Sequence, residues 1–218
     1  MIKSKRNISD LIRFLPLNVV NHMYRVGLLT SILTEKISGS DSALHEYQDN
    51  GLSYYGKAAF FHDIGKVFIP FNLLIKPNRF TAEEMSMMKN HTLCAQVLFD
   101  DINRGLLSGM PEPYAGFARD AAIYHHEWWN GKGYPYGISQ EEIPLIARIV
   151  SVCDAYDAIT SERNYKAAYS HGYACRELER FSGTQFDPAL IKVFLGNEAE
   201  FSDLIRINSG YSRPLIDK

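Results

Sequence analysis

The chain has 218 residues, and its 23 lysines and arginines against 25 aspartates and glutamates give a net charge of -2 at pH 7. Such a balance implies no strong electrostatic attraction and so argues against nucleic-acid polymers or anionic membranes as partners. Hydrophobic residues make up 46% of the chain, which is enough for the core of one domain. Because the net charge is small, an anionic ligand would have to be held by local basic side chains or by metal ions.

The cysteine pattern and the apolar segments bear on the cellular compartment. Cys94, Cys153 and Cys175 are widely spaced and form no CxxC pair, which favours a reducing compartment and argues against a disulfide framework. No apolar run follows the basic segment Met1–Arg6, so we expect no signal peptide. The longest apolar stretch, Ile143–Cys153, is too short to span a bilayer. We therefore predict a soluble, cytoplasmic protein.

The first half of the chain predicts three helices. Apolar residues recur at helical spacing along Asn18–Ile37, and Gly39 is placed to end this helix. Gly51–Lys66 predicts a second helix. A capping-box pattern beginning at Thr81 predicts a third helix that runs to about Arg104.

The second half continues this helical pattern. Helices are predicted at 114–127 and 141–161, and the glycine- and proline-rich stretch 129–139 between them is expected to be an ordered loop. Asp187 followed by Pro188 is typical of a helix start. Strand patterns are nearly absent. We therefore predict an all-α, single-domain bundle of about seven to nine helices.

Histidines and aspartates stand where several of these helices begin or end. Adjacent His62 and Asp63 can both point at one cation, and an aspartate can bridge two ions. His125 and His126 precede the glycine-rich loop. Asp154 lies among apolar neighbours, where an unpaired carboxylate is costly. Each feature alone has an ordinary alternative, such as a solvated helix cap or a surface helix end.

The complete set is more informative than its parts. His22 and His91 lie on two further predicted helices, where each alone would be read as a hydrogen-bonded core histidine. A helical bundle can build a metal site from side chains that project inward from several helices. The candidate ligands outnumber the needs of one zinc ion and suit two ions that share a carboxylate; they are His22, His62, Asp63, His91, His125, His126 and Asp154.

The order of these residues resembles the HD superfamily of metal-dependent phosphohydrolases. The segment His125–Pro135, which reads HHEWWNGKGYP, is similar to the motif that names the HD-GYP family. The resemblance covers about residues 15–200, with 1–14 as a lead-in and 201–218 as a tail. Further matching segments are Lys76-Pro77 with Thr81 and Glu84, Ile143–Ile149, Asp154–Thr160, Arg163–Lys166 and Gly183–Pro188.

The resemblance implies a phosphodiesterase that hydrolyses cyclic di-GMP to linear pGpG, with onward hydrolysis to GMP left open. It implies a centre of two divalent metal ions, iron or manganese first and zinc or nickel as alternatives, that activates a bridging water. Asp63 and Lys66 are the expected catalytic residues. Lys66, Arg163 and Lys166 are expected to contact substrate phosphates, with Tyr134 beside them.

Two departures from the family pattern and one loop refine these expectations. Members with three metals carry a glutamate where this chain has Asn18, a poor ligand, so we favour two ions. Asn164 replaces the usual proline beside Arg163 and could loosen the loop that presents this arginine. The loop Gly133-Tyr134-Pro135 is implicated in partner contacts, and a diguanylate cyclase is the candidate partner.

Several alternatives stay open at this stage. Asp157 suits either a residue that orients a ligand or a surface salt bridge, and Glu127 is open in the same way. Trp128 and Trp129 suit either guanine stacking or loop packing. The rival functions are hydrolysis of nucleotides or of another cyclic dinucleotide, such as cyclic GMP-AMP, and a catalytically weak cyclic di-GMP sensor or docking module.

Overall fold

The structure is a computed structural model that describes residues 6–39, 51–162 and 168–208. Eight helices of at least eight residues lie in these ranges, within the seven to nine that were predicted, and three helices of about one turn accompany them. The helices are α1 Ile8–Ile12, α2 Leu17–Ser38, α3 Tyr55–Ala59, α4 Phe71–Leu74, α5 Ala82–Lys89, α6 His91–Asn103, α7 Glu112–Tyr124, α8 Leu145–Thr160, α9 His171–Arg180, α10 Pro188–Gly196 and α11 Glu198–Asn208.

Only short elements of other kinds interrupt the described helices. Strands β1 Arg6–Asn7 and β2 Leu107–Ser108 form one parallel pair. The 3-10 turns are Leu52–Tyr54, Ile64–Phe68 and Gln140–Glu142. The all-α prediction is confirmed. Within the described ranges, no helix has both the length and the apolar character needed to cross a membrane.

Helix α2 is the central support of the core, and it ends at Gly39 as the sequence predicted. Its apolar face buries Met23, Val26, Leu29 and Leu33 completely. This face packs against α3 and α8, and removal of such side chains from water is the main force that assembles the bundle. The first ligand candidate, His22, is therefore carried on a rigid element.

The prediction of one continuous helix over 51–66 is wrong. A 3-10 turn, the short helix α3 and a second 3-10 turn replace it, with the chain turning between Ala59 and Ile64. Gly65 lies against α6 so closely that a Cβ atom there would come within 1.9 Å of the His91 carbonyl oxygen. This tight contact directs the turn, with His62 and Asp63, into the interior.

The predicted helix from Thr81 begins correctly but does not run unbroken. Thr81 and Glu84 form both hydrogen bonds of the capping box. The helix divides into α5 and α6 at Asn90. There the His91 ring donates from Nδ1 to the Met88 carbonyl at 2.7 Å, and this oxygen is the acceptor that a continuous helix would use. The division places His91 at the start of α6.

The C-terminal half follows the predicted order with shifted helix ends. Helix α7 ends at Tyr124, so His125 and His126 lie just beyond it. Asp187 caps α10 by accepting a hydrogen bond from the Ala189 amide at 2.9 Å, as predicted. Ile8 and Phe201, which flank the predicted domain 15–200, are both buried in the main core.

Candidate metal centre

Five segments of the fold bring the predicted ligand residues to one place. Helix α2 carries the first histidine, the turn after α3 carries an adjacent histidine and aspartate, and the start of α6 carries another histidine. The segment after α7 supplies two more, and α8 supplies an aspartate. These residues are His22, His62, Asp63, His91, His125, His126 and Asp154.

The first group is formed by His22, His62 and Asp154, which each turn one ligand atom to a common point. The Nε2 atom of His22 lies 3.1 Å from an oxygen of Asp154 and 3.3 Å from Nε2 of His62. His62 is completely buried. One nitrogen from each of two histidines and one carboxylate oxygen make a set that suits iron, manganese, zinc or nickel.

The second group is formed by His91, His125 and His126. The Nε2 atoms of His91 and His125 lie 3.5 Å apart, and both residues are buried. The rings of His125 and His126 are 4.0 Å apart between centroids. Three imidazoles around one point form a site with nitrogen donors only.

Asp63 lies between the two groups. One of its oxygens, Oδ2, is 3.4 Å from Nε2 of His62 and 3.5 Å from Nε2 of His22. The other oxygen, Oδ1, is 3.4 Å from Nε2 of His91. The carboxylate therefore faces both groups, which is the arrangement of a carboxylate that bridges two cations.

The hydrogen bonds of the histidines test whether a cation fits. Nδ1 of His62 donates to the Ala59 carbonyl at 2.9 Å, and Nδ1 of His125 donates to the Ala121 carbonyl at 2.8 Å. His91 makes the same kind of bond. Because a carbonyl oxygen only accepts, the proton is on Nδ1, and in the neutral ring Nε2 presents a lone pair. Lone pairs that face each other without a donor fit a bound cation.

Electrostatics favour the protonation states that metal binding needs at most of these positions. Burial lowers the pKa of His91 to about 4, and burial together with the nearby His91 lowers the pKa of His126 to about 3. Burial raises the pKa of Asp63, but the charges of Lys66 and His62 outweigh it and hold the pKa well below its usual range. These histidines are neutral and this carboxylate is charged at neutral pH. The exception is His22, where burial lowers the pKa but hydrogen bonds to Asp154 and Asp157 outweigh it and raise the pKa to about 9, so that a bound cation would displace a proton.

A cleft of about 340 Å³ opens over the ligand cluster. The Lys66 ammonium group lies in it, 2.5 Å from Oδ2 of Asp63. Lys76 on the wall is paired with Glu84 at 2.5 Å. The apolar part of the wall is formed by Val19, Leu74, Phe80, Met85 and Met88. The cleft thus combines positive charge beside the cluster with apolar surface further out.

The glycine-rich loop closes one side of this cleft. Tyr134 lines the cleft and stacks on His126 with 4.7 Å between ring centroids. Glu127 is buried and accepts hydrogen bonds from the Tyr136 and Gly137 amides at 2.6 and 3.0 Å. The open question about Glu127 is thereby answered, since its carboxylate fixes the loop backbone.

The positions of the two tryptophans do not support guanine stacking. The Cζ atom of Arg148 lies over the Trp129 ring, 5.8 Å from the ring centroid. The Trp129 amide donates a hydrogen bond to the Gln185 carbonyl at 3.0 Å. Neither Trp128 nor Trp129 is among the residues that line the cleft. Loop packing therefore describes Trp129, and we assign neither residue to the cleft.

Asp157 orients a histidine, so the surface salt bridge that was its alternative is excluded. It is buried and accepts a hydrogen bond from Nδ1 of His22 at 2.7 Å. Arg25, which the sequence analysis missed, binds the same carboxylate at 2.6 and 2.9 Å. The available signal was its position one helical turn after His22.

Three other sequence predictions concern the cleft and its rim. Arg163 and Lys166, the expected phosphate contacts, lie outside the described residues, as does Asn164. Asn18, which stands where three-metal members carry a glutamate, lines the cleft near the first histidine group.

The chain is similar in sequence to proteins that are named as cyclic di-GMP phosphodiesterases. The chain is 36% identical over 184 residues to a probable cyclic di-GMP phosphodiesterase from Vibrio cholerae, covering 84% of this chain and 41% of that protein. It is 37% identical over 185 residues to a cyclic di-GMP phosphodiesterase from Thermotoga maritima, covering 85% and 46%. The chain thus spans less than half the length of these relatives.

A solved structure and a family model complete the comparison. An HDG"Y"P protein from Bdellovibrio bacteriovorus has the same fold, with a TM-score of 0.59 and 17% identity, over 91% of this chain and 56% of that one. The HD domain family model matches residues 22–190, from the first candidate ligand to α10. The resemblance indicated by the motifs is therefore confirmed, and the chain belongs to the HD domain family.

Proposed function

We propose that this chain is a metal-dependent phosphodiesterase that hydrolyses cyclic di-GMP to linear pGpG in the cleft over the histidine cluster. One observation carries the proposal: two groups of ligand atoms meet on opposite oxygens of Asp63 at the base of an open cleft. The names of the relatives from Vibrio cholerae and Thermotoga maritima support the choice of substrate.

Two divalent cations would be held by the seven clustered residues, with Asp63 shared between them. Mixed histidine and carboxylate donors accept iron, manganese, zinc and nickel. Iron or manganese is our first choice because the family resemblance implies them, and zinc or nickel is the second. When bound, such a pair supplies Lewis acidity and lowers the pKa of water enough to provide a nucleophile at neutral pH.

The chain's own residues prepare the phosphodiester for attack. Lys66 places a positive charge beside Asp63, where it would stabilise negative charge that builds on the phosphoryl oxygens. Arg163 and Lys166 are the proposed contacts to the second phosphate, and a guanidinium can bind a phosphate through two hydrogen bonds. Tyr134 is proposed to touch the substrate from the loop side.

The cleft suits the chemical character of a cyclic dinucleotide. Its volume of about 340 Å³ falls in the range of roughly 300–1,000 Å³ common for small-molecule sites. Phe80, Met85 and Met88 offer apolar surface for the flat faces of bases, and cations held by the histidine cluster would offset the charge of the phosphates.

The proposal also covers the location of the protein, a partner and the extent of the catalytic unit. The free thiols of all three cysteines support a reducing cytoplasm as the location. The loop Gly133-Tyr134-Pro135, beside the cleft, is the proposed contact for a diguanylate cyclase. Residues 15–200 are the proposed catalytic unit.

The test combines elemental analysis with product chromatography. Protein purified without oxygen is expected to hold about two metal ions per chain and to convert cyclic di-GMP to pGpG. Cyclic GMP-AMP and pGpG are supplied in parallel to measure the preference and any onward step. Asp10→Ala, an exposed change on α1, is the control for handling.

Each other result has a definite meaning. Faster turnover of cyclic GMP-AMP than of cyclic di-GMP would assign the alternative substrate. Tight binding of cyclic di-GMP without product, in protein loaded with metal, would favour the sensor function. Protein that takes up no metal under any loading condition would refute the proposal as a whole.

A further inference from the structure

His22 differs from three other histidines of the cluster in what holds its ring. His62, His91 and His125 donate from Nδ1 to backbone carbonyls of their own preceding turn. His22 instead donates from Nδ1 to the Asp157 side chain at 2.7 Å, while its Nε2 faces the cluster. The orientation of this one ring therefore depends on a side chain that can itself move.

Arg25 removes that freedom. Its Nε atom donates to Oδ1 of Asp157 at 2.6 Å, and its Nη2 atom donates to Oδ2 at 2.9 Å. The paired donors of a guanidinium match both oxygens of a carboxylate and fix its plane. The Ser161 hydroxyl adds a bond to Oδ1 at 3.2 Å. Asp157, which is 1% exposed, is thus held on both oxygens.

The sequence positions explain how this arrangement forms. Arg25 follows His22 by three residues on α2, and Asp157 follows Asp154 by three residues on α8. Residues three apart lie on one face of a helix. The packing of α2 on α8 therefore brings a histidine–aspartate contact at the cluster and an arginine–aspartate contact one turn away into register.

We propose that Arg25 is a positioning residue that acts through Asp157 to fix the ring and the Nδ1–H tautomer of His22. It thereby sets the metal affinity of the group His22, His62 and Asp154, and leaves the His91, His125 and His126 group unaffected. This inference rests on the metal centre of the proposed function. Removal of an outer partner of a metal-binding histidine typically weakens metal affinity by roughly 10–100-fold.

Arg25 also lines the cleft, so direct substrate binding is the competing role. The two roles differ in whether the effect of losing Arg25 requires Asp157. A residue that acts through Asp157 has no further effect on metal affinity once the carboxylate is gone. Loss of a residue that binds substrate raises the KM for cyclic di-GMP whether or not Asp157 is present.

The experiment measures metal binding to metal-free protein by calorimetry with Mn²⁺, for the unchanged chain, Arg25→Ala, Arg25→Lys, Asp157→Asn and the double variant. Arg25→Ala and Asp157→Asn are each expected to weaken one of the two binding events by roughly 10–100-fold and to leave the other unchanged. The double variant is expected to match Asp157→Asn alone. Arg25→Lys keeps the positive charge but loses the paired donors of the guanidinium, so it is expected to recover part of the affinity.

Lys76→Ala is the matched control, because it removes a positive charge from the same cleft without touching Asp157. Its binding isotherm is expected to equal that of the unchanged chain. Circular dichroism and the Tm of each variant check that the fold is kept.

Three results would overturn the inference. The first is an Arg25→Ala isotherm equal to that of the unchanged chain, with only the KM raised. The second is equal weakening of both binding events together with a lower Tm, which would indicate a role in the whole fold. The third, an unchanged chain that binds no Mn²⁺, would refute the proposed function as well.

Discussion

The ring of Tyr134 lies nearly flat on the ring of His126, with 25° between the planes and 4.7 Å between the centroids. The Lys89 ammonium group stands 4.8 Å from the centroid of the same tyrosine. Tyr134 thus joins the glycine-rich loop to the histidine cluster. A change in the loop at this position is transmitted to a proposed ligand.

Tyr134→Ala and Tyr134→Phe separate stacking from hydrogen bonding. Alanine removes a ring contact worth about 0.5–1.5 kcal/mol, so we expect metal affinity to fall several-fold. Phenylalanine keeps the stack, so we expect normal metal content. We expect the KM for cyclic di-GMP to rise about 5-fold, because the hydroxyl is the proposed contact to the substrate. Calorimetry and steady-state kinetics measure both. Equal metal loss in the two variants would contradict the stacking role.

Asp63→Ala tests the shared carboxylate. We expect both metals to be lost, because each group of ligands faces one of the two oxygens of Asp63. Loss of a residue that only orients a metal ligand lowers activity by up to roughly 100-fold. Turnover of Asp63→Ala is expected to fall by more than this. Elemental analysis and product chromatography provide the readouts. A variant that retains one metal per chain would show that Asp63 serves a single ion.

Gly133→Ala tests the close packing of the loop. A Cβ atom at this position would lie 2.3 Å from the Trp128 amide nitrogen and 2.5 Å from the His126 carbonyl oxygen. Backbone atoms cannot yield cheaply, so we expect a loss of about 1–3 kcal/mol in the free energy of unfolding. Turnover should fall with it, since the loop carries Tyr134.

The matched control for Gly133→Ala is Gly116→Ala on the exposed face of α7. Nothing lies within 4 Å of a Cβ atom at this position. Alanine is the better helix former, so we expect a gain of about 0.5–1 kcal/mol. Thermal denaturation compares the two variants. Equal Tm values would refute the assigned constraint at Gly133.

The cysteines predict a pH dependence of alkylation. Burial raises the pKa of Cys153 to about 12, and burial together with Glu198 raises the pKa of Cys175 to about 12. Because the thiolate is the nucleophile, a raised pKa means less reactive sulfur at pH 8, about one part in ten thousand. We expect the half-buried Cys94 to react first, and the other two to react about tenfold faster per pH unit over the range in which the fold is kept.

Timed alkylation followed by peptide mass spectrometry measures the three rates. Denatured protein, in which all three thiols should react alike, is the control. Labelling of Cys175 as fast as Cys94 in the folded protein would contradict the prediction.

Local patterns were enough to predict α2, the capping box at Thr81 and the start of α10 at Asp187. They failed between Ala59 and Ile64, where Gly65 packs against the distant α6, and at Asn90, where the His91 ring donates to the Met88 carbonyl. The apolar spacing along 51–66 carries no information about the contact of Gly65 with α6. Tertiary packing overrode helical periodicity at the first point, and a local side-chain hydrogen bond accompanies the break at the second.

The candidate site was predicted residue by residue only where motifs marked it. All seven ligand candidates converge in the structure, yet Arg25 escaped notice. Its partner Asp157 is 132 residues away, and the position of Arg25 one helical turn after His22 does not by itself identify that partner. Such a contact becomes visible only after α2 and α8 are packed together.

The backbone bonds of His62, His91 and His125 have a consequence for which ion the cluster holds. These rings are fixed by the turns that carry them, so folding alone completes much of the cage before a cation arrives. Ligand rings that are already fixed before binding cannot rearrange to exclude an ion of similar size. Ions would then compete by intrinsic affinity and abundance, so the growth medium is expected to decide which element is recovered.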